Sequence, residues 1–166
     1  MSGNFGFLVN PNNPNAESDT NSARLAADAL GRKTIVVKAR TREDIDQAFA
    51  QLNKERANAL LISADPLFSG SREQLAALAA RHALPTMFNS REFALAGGLL
   101  SYGPDQADAY REAGIYVGRI LMGEKPSNLP VVQPTKFELV INMKAAQALG
   151  ITIPAAVRAR ADEVIE

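Results

Sequence analysis

The chain lacks the residues on which several common kinds of active site depend. Its 166 residues include no cysteine, no tryptophan and a single histidine, His82. Without cysteine there is no disulfide framework, no thiolate nucleophile and no Cys-ligated metal, and one histidine leaves little for a zinc site. A glycine-rich dinucleotide loop and a Walker loop are also missing. The sequence therefore predicts no metal and no cofactor.

Charge excess and long apolar runs are absent as well. Lys+Arg and Asp+Glu both total 18, so the net charge is zero, which argues against a nucleic-acid partner. No run of about 18 apolar residues occurs, so no membrane-spanning helix is predicted. Residues 1–4 lead straight into a predicted strand, so no export signal is predicted in this chain.

A strand, a polar loop and a helix open the chain. Residues 5–9, FGFLV, are short and apolar, as in a buried strand. Residues 10–15, NPNNPN, form a polar turn rather than regular structure. Beyond it, Ala23, Ala26, Ala27 and Leu30 have the spacing of a helix that lies on a sheet. Pro14 suits the first turn of that helix, with an asparagine as its cap.

The same alternation of strand and helix continues along the chain. Further strands are predicted at 34–37, 59–62, 86–88, 99–102 and 137–141, with helices at 41–52, 71–82, 91–95, 105–122 and 142–149. Capping boxes are predicted at Thr41 with Asp44 and at Ser71 with Gln74. The pattern predicts an α/β fold of three α/β/α layers around a mainly parallel sheet.

Polar residues after the first strand are the first candidate site. In open α/β sheets, ligands bind beyond the carboxyl ends of the strands, where helix N-termini point. Asn10, Asn12, Asn15 and Ser18 fall at such a place. Asparagine and proline are also ordinary turn formers, so a purely structural turn is the main competing interpretation.

Loops after later strands add further candidates. Ser90 and Arg91 follow the fourth predicted strand, and Arg91 has the geometry to clamp a carboxylate. A surface pair between Arg91 and a glutamate is the simpler alternative. Tyr102 ends the fifth strand, where it is either a ligand wall or a core residue. His82 is interpreted as structural, near a helix C-terminus.

Six segments together resemble the substrate-binding proteins of an ABC-transporter family. They are residues 10–12 (NPN), 64–66 (ADP), 81–85 (RHALP), 96–103 (AGGLLSYG), 114–118 (GIYVG) and 133–142 (QPTKFELVIN). The resemblance implies a lobe of the type I periplasmic binding-protein fold, which is Rossmann-like or flavodoxin-like, and some members of the family bind aromatic amino acids. The family has a longer chain with two α/β lobes, and this sequence resembles its second half.

The resemblance also implies a division of the chain. Residues 1–98 would form an α/β ligand-binding lobe, 99–130 a crossover segment that belongs to the other lobe, and 131–166 a return strand and helix on the first lobe. The loop of Asp65 and Phe68 would face the ligand cleft, and Phe68 would stack on the ligand. An ABC permease partner and a periplasmic or extracytoplasmic location follow from the same resemblance.

Three functions remain open at this point. The first is a solute-binding component of an ABC-type importer that binds a small polar organic solute such as an amino acid, without catalysis. The second is a small-ligand sensor domain of a regulatory protein. The third is an α/β hydrolase or isomerase, for which the lone His82 falls far from the loop edge. Alanine at Asn10, Asn12, Asp65 or Arg91 is expected to affect binding more than folding.

The longest predicted helix, 105–122, carries an apolar stripe with no assigned partner. Its members are Ala109, Ala113, Tyr116, Val117, Ile120 and Leu121. Gly114 and Gly118, four residues apart, would permit another backbone to approach closely. A homodimer is expected, formed either by pairing of this segment or by its exchange between two copies; folding back onto its own lobe is the alternative.

Overall fold

A mostly parallel sheet is the centre of the structure, a computed structural model that describes residues 3–166. In that part of the chain the sheet has seven strands in the order β2-β1-β3-β4-β5-β6-β7. Within residues 3–166, only the β5–β6 pair is antiparallel. The strands are β1 (Asn4–Val9), β2 (Thr34–Lys38), β3 (Ala57–Ile62), β4 (Thr86–Phe88), β5 (Leu100–Pro104), β6 (Phe137–Asn142) and β7 (Glu163–Ile165). The predicted fold class, α/β with a mainly parallel sheet, is confirmed.

Helices connect these strands. They are α1 (Ala16–Ala29), α2 (Arg42–Lys54), α3 (Pro66–Ser69), α4 (Arg72–Arg81), α5 (Arg91–Leu95), α6 (Gln106–Leu121), α7 (Met143–Ala148) and α8 (Ala155–Arg158), with one 3₁₀ turn at Pro126–Asn128. The short α3 and the final strand β7 are absent from the sequence prediction. Among the described residues, no helix combines the length and apolar character needed to cross a membrane.

The main core fills one face of the sheet. Leu8, Leu60, Ile62 and Phe88 point to this face from β1, β3 and β4. Helix α2 covers them with four residues that share one face of the helix, Ile45, Ala48, Phe49 and Leu52, all buried. Helices α4 and α5 complete the layer with Leu75, Leu78 and Phe93. The main cluster of buried apolar side chains, which stabilises the lobe, therefore lies on this face.

The opposite face is covered by α1. From the predicted stripe of this helix only Ala27 is buried, whereas Leu30 is exposed. Between α1 and the strands lies an apolar groove of about 300 Å³, whose floor includes Phe5, Phe7 and Leu61. Parallel strands are normally covered on both faces, so the third layer of this lobe is incomplete within residues 3–166.

Helix starts show why one predicted capping box forms and the other does not. At α2, the Thr41 side chain accepts a hydrogen bond from the Asp44 N–H, and the Asp44 carboxylate accepts one from the Thr41 N–H, as predicted. At α4, Ser71 makes no side-chain cap bond within the described chain. Thr41 enters from extended backbone (φ −134°, ψ 171°), whereas Ser71 (φ −117°, ψ 19°) follows the unpredicted α3 directly. Ser71 is thus not placed to cap in the usual extended geometry.

Residues 99–130 were predicted to cross into another lobe, and for the strand β5 that prediction is wrong. β5 lies inside this sheet, between β4 and β6. Helix α6 does leave the sheet, and none of its sixteen described residues is buried. The chain leaves the sheet after β5 and returns to it at β6, and Asp105 and Lys136 meet at this point. The Asp105 N–H donates to the Lys136 carbonyl (3.0 Å), and the Lys136 ammonium pairs with the Asp105 carboxylate. Assignment of α6 to another lobe stays a prediction.

Candidate functional site

Polar loops after β1 and β3 meet at the carboxyl edge of the sheet. These two strands are neighbours, so their carboxyl ends lie side by side. Asn10 follows β1, and Asp65 follows β3 and caps α3. The Asn10 amide nitrogen donates to Asp65 Oδ1 at 3.2 Å. Two of the predicted site residues, 55 positions apart in the chain, are therefore in direct contact.

Asp65 is the centre of this contact. Its side chain is buried, with 7% of the residue exposed. Oδ1 also accepts the Leu67 N–H at 2.8 Å, and Oδ2 accepts the Asn13 amide nitrogen at 2.8 Å. Burial alone would raise the pKa of the Asp65 carboxyl, but the hydrogen bonds from Asn13, Asn10 and Leu67 outweigh it and hold that pKa below its ordinary value. The carboxylate is thus ionised and accepts three hydrogen bonds.

Asn13 is the residue that sequence reasoning omitted from the site. Its amide nitrogen also lies 3.3 Å from the Ala64 carbonyl, and its Oδ1 accepts the Asn15 N–H at 2.9 Å. Four asparagines lie in one loop, and the sequence offers no basis for choosing among them. The signal that distinguishes Asn13 is its contact with Asp65, which only the pairing of β1 with β3 creates.

The remaining residues of the first loop are exposed. Asn12 donates its backbone N–H to Asn10 Oδ1 at 3.0 Å, while no hydrogen bond of its side chain is found within residues 3–166. Asn15 precedes α1 without capping it through its side chain. The Ser18 hydroxyl donates to the Asn15 carbonyl at 3.1 Å. The side chains of Asn12 and Asn15 are thus both exposed and without a hydrogen bond within the described residues.

The loop after β4 is occupied by local interactions. The Ser90 hydroxyl donates to Glu92 Oε2 at 2.6 Å, which lowers the pKa of the Glu92 carboxyl. Arg91 makes a bidentate pair with Glu163 of β7, at 2.7 and 2.9 Å, and this pairing raises the pKa of its guanidinium. The simpler alternative, a surface Arg–Glu pair, describes Arg91 here.

Phe68 requires a correction. It is completely buried and belongs to the main core, so the predicted stacking on a ligand is wrong for this structure. The reason is α3, whose single turn directs Phe68 inwards. Tyr102 is 51% exposed and stacks on Phe137, with ring centroids 5.8 Å apart. Tyr102 therefore offers an aromatic wall, and Phe137 is a second member that the sequence did not indicate.

Other residues of interest lie away from this edge or serve the fold. The ring centroids of His82 and Phe49 lie 5.9 Å apart, and His82 is the C-cap residue of α4. Both observations agree with its structural interpretation. Within residues 3–166, no three His, Asp or Glu side chains group in a way that could hold a metal ion. The candidate site is consequently an edge of amides with one aromatic pair beside it.

Comparison with known proteins identifies the family. The family model described as "ABC transporter substrate binding protein" matches residues 3–165. The chain belongs to this family. Among curated proteins, no match to this substrate-binding chain is found. The predicted resemblance is therefore confirmed over almost the whole chain.

Solved structures place this substrate-binding chain beside larger relatives. A conserved domain protein from Vibrio cholerae is 28% identical, with a TM-score of 0.88, over 97% of this chain and 54% of its own. An ABC domain from Streptococcus pneumoniae in complex with L-Trp is 24% identical, with a TM-score of 0.87, over 98% of this chain and 56% of its own.

A ligand-free, open substrate-binding protein with adhesive properties from Clostridium difficile matches more distantly. It is 19% identical, with a TM-score of 0.71, over 100% of this chain and 55% of its own. The chain thus spans about half the length of the solved structures that it matches. The two less identical structures support the shared fold.

Proposed function

We propose that this chain is a solute-binding lobe of an ABC-type importer and that it binds a small polar organic solute, such as an amino acid, at the carboxyl edge of its sheet. The observation that carries the proposal is the meeting of the Asn10 loop and the Asp65 loop there, in a chain of the substrate-binding family. The proposed role is binding without catalysis.

The chemistry of this edge suits a zwitterion. At the start of α1 the Ala16 N–H donates to the Asn13 carbonyl. Asn15 gives no side-chain cap, so the next N–H groups, of Glu17 and Ser18, are available to a carboxylate. Glu17 and Asp19 in the same turn favour an ammonium group. The exposed Asn12 amide can donate and accept. An amino acid carries both charges, and a solute with only one would use part of this surface.

Two observations favour an aromatic or branched side chain on that amino acid. Tyr102 and Phe137 form a half-exposed stacked pair at the neighbouring end of β5 and β6, and aromatic faces bind apolar and aromatic groups. The S. pneumoniae relative was solved with L-Trp. We infer that aromatic and branched amino acids are the first ligands to screen.

Isothermal titration calorimetry with L-tryptophan, L-phenylalanine, L-leucine and D-glucose tests the proposal. One lobe covers only one side of a ligand, so saturable binding weaker than about 1 μM is expected for the amino acids and none for glucose. Absence of saturation with every amino acid contradicts the proposal. Submicromolar binding by a strictly monomeric chain contradicts the one-sided site.

The partner and the compartment follow from the family. We infer that the whole protein works outside the cytoplasm and delivers its solute to an ABC permease. Support comes from the family match over residues 3–165. Co-purification with the permease from detergent-solubilised membranes, lost when the solute is absent, is the expected result.

A homodimer is the last part of the proposal. Helix α6 exposes Tyr110, Val117 and Leu121, the last at 82%, and its Tyr116 hydroxyl is held to the Pro130 carbonyl of the return segment at 2.7 Å. The helix and its return segment thus form a projecting unit with apolar residues in solvent. Burying each larger side chain would contribute about 1.5–3 kcal/mol, which favours pairing or exchange between two copies.

A further inference from the structure

We propose that Asp65 is a positioning residue for the solute site, and that it acts by fixing the loop 10–15 so that Asn12 is presented to a solute. Asp65 itself then makes no contact with the solute. The inference rests on the proposed function for its binding consequence only, because the geometry of the loop is independent of any ligand. It differs from the sequence expectation, in which Asp65 is a ligand-binding residue.

Three of the roughly four acceptor positions on the Asp65 carboxylate are already taken. Three donors converge on its two oxygens: the Asn10 amide (3.2 Å), the Asn13 amide (2.8 Å) and the Leu67 N–H (2.8 Å). With 7% of the residue exposed, little room is left at the fourth position, and a solute that took one of the other three would displace its donor. An unpaired buried amide costs free energy comparable to a lost hydrogen bond, so displacement is unfavourable.

The two asparagines transmit this constraint to the loop. Asn10 donates to Asp65 with its nitrogen and accepts the Asn12 N–H with its oxygen, at 3.0 Å. Asn13 repeats the arrangement, with its oxygen accepting the Asn15 N–H at 2.9 Å. Each amide joins the carboxylate on one side to the loop backbone on the other. Only a group with both a donor and an acceptor can do this.

Asn12 lies between these two fixed points. Its backbone is held through Asn10, while its side chain is exposed and makes no hydrogen bond within the described residues. An exposed side chain on a fixed backbone is preorganised for binding, since less freedom is lost when a ligand is captured. The lowered pKa of Asp65 agrees with this arrangement, because the donors stabilise the charged form.

Hydrogen exchange of the loop amides tests the positioning role directly. In Asp65→Ser, the serine hydroxyl keeps a cap for the Leu67 N–H but cannot hold both asparagine amides. The N–H groups of Asn12 and Asn15 keep their acceptors on Asn10 and Asn13, and Asp65 does not touch either. We expect both amides to exchange about tenfold faster in this variant, as for the loss of one hydrogen bond.

A matched control and a second variant complete the experiment. Asn53→Ala changes an exposed asparagine at the end of α2 and should leave exchange in the loop unchanged. In the double variant Asn13→Ala/Asp65→Ser, the Asn12 N–H should exchange no faster than it does in Asp65→Ser alone. Unchanged exchange at Asn12 and Asn15 in Asp65→Ser overturns the proposal, whatever happens to binding.

L-Tryptophan titrations of the same variants separate this inference from the proposed function. Weaker binding in Asp65→Ser, with faster loop exchange, is the expected result. Weaker binding with unchanged exchange means that Asp65 contacts the solute, and the positioning role is wrong. If the unaltered chain binds no amino acid while exchange responds as expected, the proposed function fails and the positioning of the loop stands.

Discussion

Phe68 and Tyr102 are aromatic residues that the sequence analysis assigns to the same candidate site and that the structure places in opposite environments. Phe68 is fully buried and Tyr102 is half exposed. We expect Phe68→Ala to lower the free energy of unfolding by about 3–5 kcal/mol. Tyr102→Ala loses one stacked ring and should cost about 0.5–1.5 kcal/mol. Urea unfolding measures both, and equal losses would contradict these assignments.

Asp65 makes a prediction about acid stability. Its folded pKa is below the ordinary value of 3.8, so its contribution is complete above the unfolded pKa and disappears as the pH falls through the folded one. Unaltered protein should therefore exceed Asp65→Ser in unfolding free energy at pH 7, and the difference should shrink below pH 3.8. All other carboxylates are present in both the unaltered protein and Asp65→Ser, so their titration cancels in the difference. A difference that is constant from pH 7 to pH 3 would contradict the hydrogen-bond network.

Single residues also show where sequence reasoning ends. Asn10, Asn12 and Asp65 could be assigned to one edge because the carboxyl ends of parallel strands meet there. Their roles could not be assigned, since the contact of Asn13 with Asp65 depends on which strands are neighbours. Alanine at Asp65 is now expected to affect folding as well as binding, whereas Asn12→Ala should leave the melting temperature unchanged.

Among the elements, β5 and α6 contain glycines with opposite requirements. A Cβ on Gly103 in β5 would lie 1.9 Å from the Asn89 carbonyl oxygen, whereas nothing lies within 4 Å of one on Gly114 in α6. Gly103→Ala should lower the free energy of unfolding by about 1–3 kcal/mol through backbone displacement. Gly114→Ala should raise it by about 0.5–1 kcal/mol, because alanine is the better helix former.

Thermal and urea unfolding of the two glycine variants distinguish these cases. A neutral Gly103→Ala would mean that β4 and β5 are less closely packed than the structure shows. A destabilising Gly114→Ala would mean that the glycine meets another backbone, as the sequence analysis expected for an α6 interface. The two glycine-to-alanine variants thus test the packing of β5 and the exposure of α6 with the same chemical change.

Elements were predictable where local signals agree with packing. The capping box of α2 is confirmed. β5 was predicted to end at Tyr102, since Gly103-Pro104 resembles a linker, yet it pairs with β6 as far as Pro104. The pairing partner lies more than thirty residues away, which no local pattern reveals. Helix α3 is a single turn of four residues, too short for periodicity to detect.

For the whole molecule, the projecting α6 unit predicts self-association. Light scattering after size-exclusion chromatography should give a mass that approaches twice 17.8 kDa as the concentration increases. Leu121→Lys, which places a charge at the exposed leucine of α6, should return the protein to monomer. A monomeric mass at all micromolar concentrations, with α6 protected from hydrogen exchange, would mean that the helix packs on its own chain.

The central claim is that this substrate-binding chain holds a small solute at the carboxyl edge of its sheet. Titration of ¹⁵N-labelled protein with L-tryptophan, followed by amide chemical shifts, tests it most directly. We predict saturable shifts concentrated in residues 10–15, in 63–65 and at Tyr102, with none at the opposite edge near Leu30 and Leu99. Shifts confined to the apolar groove beside α1, or no saturable shift with any amino acid, would contradict the account.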